Sequence, residues 1–483
     1  MKSIVLIAVS IILGVAALDT LSNPWLLASD ANLTEILFGR DIYNQYVAAS
    51  NNIGNFTIMD CISSTSSGVP CASLQIFSGT STGYGGAAAY YSSYLIIADA
   101  TGKLETYDCT SGLSCVFQVT LETGASSLPT QLVKDSLYPT IIYAAYPNIN
   151  GQLAVIQVMC GSGGCAITQT LTEFYAAGVT ASLPSAALDV DGNMGSSLSI
   201  APSAGMLVIG FPQINNGRGT AWIYDCTATC ALESSLLNQE YYAASSPPNY
   251  VRPGVLFGKS VASATLRTSP TIYVNLVIGS PGRDATIGSN GGGNYLSNLQ
   301  VGRAYIYNCT YAASAWSCSY AASTNFQKYY QALTYNTSFS GFCPYADQDF
   351  GQSVITRTQN NLVLVGAPSA CFGAGVVYGY SCNSTRQNTT LNCGILSYHN
   401  AASHNLLSRG DGFGSLVGVS AYFGLANSVY AGLIFTSTSP TSYMANWYET
   451  ASQSYVLTHH QRRMVTQAYI EEVSYLKRAS IWS

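Results

Sequence analysis

The sequence has few charged residues, few histidines and, after its first 17 residues, no long apolar run. Charged side chains make up 8% of the 483 residues, against about 25% in an average soluble protein. With a net charge of −5, the chain lacks the electrostatic surface that binds nucleic acid. Only four histidines are present for zinc or catalytic sites. No later segment is apolar over a length that would cross a bilayer.

Motifs that accompany catalysis are missing too. There is no HExxH helix, no Walker loop and no pair of acids spaced on a helix. Residues 79–83 have the GxSxG spacing, but a nucleophile elbow needs a strand, a turn, a helix and a histidine partner. The surrounding Ser/Gly stretch is typical of a linker, so Ser81 is interpreted as a chance match. We therefore expect a protein that is not an enzyme and has no catalytic or cofactor-binding residues.

The first residues are typical of a secretory signal peptide. Lys2 is followed by an apolar run from Ile4 to Ala17, and Val15 and Ala17 supply small residues at the −3 and −1 positions. The run is shorter than a membrane anchor requires. We expect cleavage after residue 17 and a mature protein that is extracellular or at the cell surface.

Fourteen cysteines in an exported chain predict disulfides, because that compartment is oxidising. None of the close pairs has the two-residue spacing of a zinc knuckle. Cys343 and Cys371 are left over when the close pairs are removed. The close pairs are Cys61/Cys71, Cys109/Cys115, Cys160/Cys165, Cys226/Cys230, Cys309/Cys318 and Cys382/Cys393.

The sequence is rich in tyrosine and in polar uncharged residues, and it contains sequons for N-linked glycans. With 35 tyrosines and so little charge, solubility must come from Ser, Thr, Asn, Gln and glycans, or neighbouring subunits must cover the surface. An exported chain can carry N-linked glycans at Asn-x-Ser/Thr. The predicted glycosylation sites are Asn32, Asn55, Asn308, Asn336, Asn383 and Asn388.

One pattern recurs along the chain: an aromatic-glycine pair, an apolar run, a turn with Gly or Pro, and a second run that ends at a cysteine. Such short runs between Gly and Pro predict strands. The two clearest copies are Phe350-Gly351 with 362–368 and 375–382, and Phe257-Gly258 with 276–281 and 302–309.

These units resemble the FG-GAP repeats of the integrin α-subunit head, in which each repeat is one blade of a β-propeller. The resemblance implies an all-β, seven-bladed propeller over residues 18–458, built of four-stranded antiparallel blades. Each close cysteine pair would then staple the hairpin of the third and fourth strands. The seven units contain Phe38, Tyr84, Ile141, Met194, Phe257, Phe350 and Phe413.

The resemblance also implies which loops share a face of the propeller. Cys343 and Cys371 would lie on the same side, and we expect them to pair with each other. The Gly- and Asn-rich segment 282–302 would be a long loop on that face. It is either a contact loop or a flexible insertion.

Integrin-type blades often carry an acidic calcium loop between their first two strands. Segments 356–361 and 264–273 hold that place here and contain no acid, so the family's metal site is largely absent. Calcium is the one cofactor that the resemblance would allow. Weak metal-ligand candidates are Asp189, Asp191 and Asn193. Asp347 and Asp349 form a second acidic pair. A turn held by side-chain hydrogen bonds explains this pair and the 189–193 group more simply than a metal site does.

Two further segments bear on partners. Arg409-Gly410-Asp411 spells an integrin-recognised tripeptide, but a turn into the Phe413 strand also explains it. Residues 459–483 place apolar residues at helical spacing, which predicts a short tail helix on the propeller or on a neighbour.

Two functions stay open: a structural subunit of a surface filament, flagellar hair or coat, and an adhesion module that binds a protein or glycan through one face. We favour the first, with self-association or other extracellular proteins as partners.

Overall fold

A computed structural model of the chain describes a series of strands and the turns between them. The described residues are 25–26, 36–43, 46–51, 55–60 and, with short gaps, 72–172, 198–236, 256–282, 302–325 and 349–383, then 392–400, 416–419, 423–427, 431–439 and 442–449. Every named element in these ranges is a β-strand. No helix of the described part has the length and apolar character needed to cross a membrane.

The structure describes 29 strands, numbered here in chain order. The first is β1 (Trp25–Leu26). The next twelve are β2 (Ile36–Tyr43), β3 (Tyr46–Asn51), β4 (Asn55–Asp60), β5 (Ala72–Ser78), β6 (Ala88–Tyr91), β7 (Tyr94–Ala98), β8 (Leu104–Asp108), β9 (Val116–Leu121), β10 (Gln131–Lys134), β11 (Ile141–Ile149), β12 (Gln152–Gly161) and β13 (Gly164–Leu171). The remainder are β14 (Ser199–Ser203), β15 (Met206–Phe211), β16 (Thr220–Asp225), β17 (Ala231–Leu236), β18 (Ser260–Arg267), β19 (Ile272–Ser280), β20 (Arg303–Ala312), β21 (Ala315–Asn325), β22 (Ser353–Arg357), β23 (Leu362–Ala367), β24 (Val376–Asn383), β25 (Asn392–Asn400), β26 (Leu416–Val419), β27 (Phe423–Asn427), β28 (Ala431–Ser439) and β29 (Ser442–Glu449).

These strands form seven sheets within the described residues. In the first six, from β2–β5 to β22–β25, four consecutive strands pair in sequence order and antiparallel. The seventh sheet holds β26–β29 in the same way, and β1 joins it as a fifth strand. The prediction of an all-β chain with four-stranded antiparallel sheets is confirmed.

The apolar runs of the sequence become the second strands of the sheets. All six residues of β15 are buried, and so are the last seven of β19. A strand that is covered on both faces has no polar side to alternate with, so its sequence is a continuous apolar run. In the sixth sheet, the first strand begins at Ser353 and not at Phe350, because Asp349 and Gly351 both have positive φ and form a turn.

Consecutive sheets lie face to face. The first strand of each sheet lies beside the first strand of the next, from β2 through β6, β10, β14, β18, β22 and β26, and β26 lies beside β2. The apolar clusters fill the spaces between neighbouring sheets. For example, Tyr143 and Val155 of the third sheet pack with Leu207 and Trp222 of the fourth.

Neighbouring sheets approach each other closely at two glycine joints, Gly210 with Gly258 and Gly279 with Gly351. A Cβ on Gly279 would lie 2.0 Å from the carbonyl oxygen of Gly351, which itself has a φ of +94°. The Ser260 hydroxyl donates to the same carbonyl at 2.8 Å. Only glycine leaves space for one backbone to reach the other here, which accounts for the glycines of the repeat.

Candidate functional site

The most unusual surface of the described molecule lies along the fourth strands. Val116, Phe117 and Val119 of β9 are 61%, 52% and 38% exposed, and Ile76 of β5 is 48% exposed. We call these four side chains the outer apolar patch. Exposed apolar groups next to an unpaired strand edge are typical of surfaces that bind another protein chain.

The fourth strands also lack the residues that usually protect a sheet edge. Natural edges are blunted by charge, especially lysine, and by proline. None of the seven fourth strands contains Lys, Arg or Pro, and Glu233 and Glu449 are their only acids. One of these acids is engaged, because Glu233 accepts a hydrogen bond from the backbone of Trp316 in the next sheet.

An aromatic series supports the patch from below. Ring centroids are 6.0 Å apart for Phe56 and Phe77, 5.0 Å for Phe77 and Tyr107, and 5.6 Å for Tyr107 and Phe117. The series starts at the fully buried Phe56 and ends at the half-exposed Phe117. Tilted and edge-on contacts of this kind are favourable, so Phe117 is held by the core rather than free to fold away.

A hydrogen-bonded group of two phenols and a carboxylate orients this series. The hydroxyls of Tyr84 and Tyr107 donate to Glu105 at 2.7 and 2.6 Å, and lie 2.9 Å from each other. Burial, followed by the hydrogen bond to Glu105, raises the pKa of Tyr107 to about 12. Burial and the hydrogen bonds with Tyr107 and Glu105 raise the pKa of Tyr84 even more. Both phenols are therefore neutral donors at physiological pH, and the group fixes ring positions instead of supplying a base.

The fourth strands are joined to the next sheet by side-chain amides. Gln75 of β5 donates to the Cys115 carbonyl at 3.0 Å and accepts from the Cys115 amide at 2.8 Å. Gln169 of β13 accepts from the Cys230 amide at 3.1 Å. These ties fasten β5 and β13 to the disulfide hairpin of the next sheet.

Sequence reasoning did not find these ties, although a signal exists. A Gln or Glu stands three or four residues after the second cysteine of the first four close pairs. They are Gln75, Gln118, Gln169 and Glu233. At Gln118 the side-chain oxygen is buried without a hydrogen-bond partner, 3.5 Å from the Cβ position of Gly164.

Four disulfides lie in the hairpins between third and fourth strands. They join Cys109 to Cys115, Cys160 to Cys165, Cys226 to Cys230 and Cys309 to Cys318. In each the Cα atoms are 3.9–4.1 Å apart. For Cys382 and Cys393 the strand register places the two backbones opposite each other. Cys61, Cys71, Cys343 and Cys371 lie outside the described residues.

The glycosylation candidates are mostly outside the part whose side chains are described. Asn308 is half-buried in β20, between β19 and β21, and adjoins the buried Cys309. Asn55 lies in β4 and Asn383 in β24, and only the backbone of these two residues is described. The sites not described are Asn32, Asn336 and Asn388.

Of the acidic candidates, some lie within the described residues and others outside them. Asp349 is described, and it accepts a hydrogen bond from the hydroxyl of Ser369 in a turn. Burial lowers the pKa of nearby Lys259, and the charge of Asp349 opposes that shift. Asp189, Asp191, Asn193 and Asp347 lie outside the described residues, as do Ser81, 283–301, 409–411 and 459–483. Among the described side chains, no group of three His, Cys, Asp or Glu is placed to hold a metal.

Asp135, which sequence reasoning missed, has a buried carboxylate that accepts hydrogen bonds from four backbone amides. Asp135 is 1% exposed and accepts from the amides of Leu137, Tyr138, Ala204 and Gly205 at 2.8–3.0 Å. Two of these amides belong to its own hairpin and two to the next sheet. With four donors around it, this group joins two sheets and is not a metal or catalytic site.

Comparison with known proteins gives no family by which to interpret this surface. Neither a protein-family model nor a curated protein matches the sequence significantly.

Proposed function

We propose that the seven sheets close into a seven-bladed β-propeller of the FG-GAP type. The order of the first strands supports closure, because β26 lies beside β2 and completes the circuit. The glycine joints support the resemblance, since Phe257-Gly258 and Phe350-Gly351 occupy the same place in two successive sheets. Tyr84-Gly85 corresponds to them, with Gly85 donating to Ala98 at 2.9 Å and Tyr84 buried.

The protein is proposed to be a secreted glycoprotein that serves as a structural subunit of an extracellular assembly, such as a surface filament, flagellar hair or coat. The observation that carries this proposal is the fourth-strand edge, which exposes the outer apolar patch and has no Lys, Arg or Pro. Four disulfides fit the oxidising compartment that such a subunit occupies. Contacts between subunits would bury the patch and stabilise the assembly hydrophobically.

The test compares the assembly of the secreted protein with that of a patch variant. Val116→Lys with Val119→Lys puts two charges on exposed positions of β9, so folding should be unaffected while association is lost. Ser162→Lys with Gly163→Lys is the matched control, because both residues are exposed in the β12–β13 turn. Light scattering and negative-stain imaging measure the particle mass.

Ordered polymers in the unmodified and control proteins, with loss in the patch variant, support the proposal. Unmodified protein that stays monomeric at every concentration contradicts it and favours the adhesion module. Polymers that survive in the patch variant show that assembly uses another surface, and the role proposed for the patch then fails.

A further inference from the structure

β1 departs from the plan that the other strands follow. Among the described strands, six sheets have their fourth strand at the outer edge, but β1 adds to the outer edge of β29 as a fifth strand. Trp25 pairs with Tyr448 and Leu26 with Glu449. This is the one parallel pairing among the named strands of the described residues; all the others are antiparallel. The pairing is two residues long and joins positions 423 residues apart (448 − 25).

The chain between β1 and β2 is longer than this pairing requires. Residues 27–35 connect β1 to β2, which lies beside β26 at the opposite side of the seventh sheet. From β26 to β1 there are four strand spacings, about 19 Å in all. Ten extended residue steps reach roughly 33–36 Å. The connection can therefore carry β1 past the edge of its own sheet.

We propose that β1 is exchanged between copies, so that β1 of one chain adds to β29 of a second copy of this chain. The inference rests on the proposed assembly function and identifies β1 as the segment that connects one subunit to the next. A strand edge that accepts β1 within one chain presents the same backbone groups to β1 of another. Addition of a donated strand to an open sheet edge is a general mode of recognition between chains.

Exchange of this kind defines the geometry of the assembly. Each copy has one donor, β1, and one acceptor, β29, so the contact is head-to-tail. Such a contact gives a ring if the rotation closes and an open filament if it does not.

The test uses engineered cysteines at one register pair. One tagged chain carries Trp25→Cys and a differently tagged chain carries Tyr448→Cys, and the two are co-expressed and secreted. Exchange should give covalent dimers that contain both tags on non-reducing gels, with a disulfide-linked peptide pair joining positions 25 and 448 in the mass spectrum. The off-register control pairs Trp25→Cys with Tyr443→Cys, because Tyr443 is opposite Ser437 and five residues from the predicted partner. The two-tag dimer should be several-fold less abundant in this control.

A chain with both Trp25→Cys and Tyr448→Cys separates the two arrangements. If it forms only the internal bond, and mixed single variants give no two-tag dimer, exchange is wrong. If light scattering shows polymers without that dimer, the inference fails while the assembly function stands. A two-tag dimer without longer polymers supports exchange and counts against the assembly function.

Discussion

At the glycine joints, neighbouring sheets meet backbone to backbone, whereas along the fourth strands they meet through side chains. Gly279 faces the carbonyl of Gly351 with no space for a methyl group. The fourth strands are held by the Gln75 tie and by disulfides, and they leave Val116 and Phe117 exposed. The joints therefore leave no space for added atoms, whereas the fourth-strand edge is held by separate hydrogen bonds and disulfides and keeps apolar side chains exposed.

The largest effect should come from filling a joint. Gly279→Ala places a Cβ 2.0 Å from a backbone oxygen, so one of the two sheets must shift. Overpacking of this kind costs about 3 kcal/mol of unfolding free energy. Gly163→Ala is the control, because its Cβ position has nothing within 4 Å. Urea unfolding of both variants measures the difference, and equal stabilities would mean that the joints are looser than the glycines indicate.

The sequence predicts the joints well and the edges poorly. Phe257-Gly258 and the run 276–281 identify a turn and a buried strand because glycine and apolar runs report local geometry. The outer apolar patch is different: Val116-Phe117 looks like a core segment, and only the position of β9 in its sheet leaves it exposed. Residue type shows which groups prefer burial but not which strand lies at an edge.

Long-range pairings are also beyond a single sequence. Trp25–Leu26 has no alternation to mark it as a strand, and its partner is 423 residues away (448 − 25). The four close cysteine pairs that form described disulfides were predictable because a hairpin brings near neighbours together. The Gln75 tie crosses 40 residues between two sheets, and the spacing of Gln75 from Cys71 does not show which residue it contacts.

Removing a disulfide should have an intermediate effect on stability. Cys160→Ala with Cys165→Ala opens a six-residue loop, which in the chain-entropy model costs about 2 kcal/mol of unfolding free energy. The Cys309–Cys318 loop is longer, with a sequence separation of 9 against 5. Its removal should cost about 0.5 kcal/mol more. Thermal unfolding of the two alanine pairs provides the comparison, and the reverse order would indicate that local packing and not loop closure sets the stability of this edge.

The smallest effect should come from single ties, and the chain offers a matched pair for measuring it. Gln75→Ala removes two hydrogen bonds to Cys115 and should lower the unfolding free energy by about 1–2 kcal/mol. Gln118 stands at the corresponding place in the next sheet, but its side-chain oxygen has no hydrogen-bond partner. Gln118→Ala should therefore change stability by less than about 0.5 kcal/mol, or increase it, because a buried polar atom without a partner carries a desolvation cost. Equal losses in the two variants would show that the stems of these side chains, and not their amide hydrogen bonds, hold the fourth strands to the next sheet. A loss confined to Gln75→Ala would establish that the amide hydrogen bonds themselves hold this edge, since the side-chain oxygen of Gln118 has no hydrogen bond to lose.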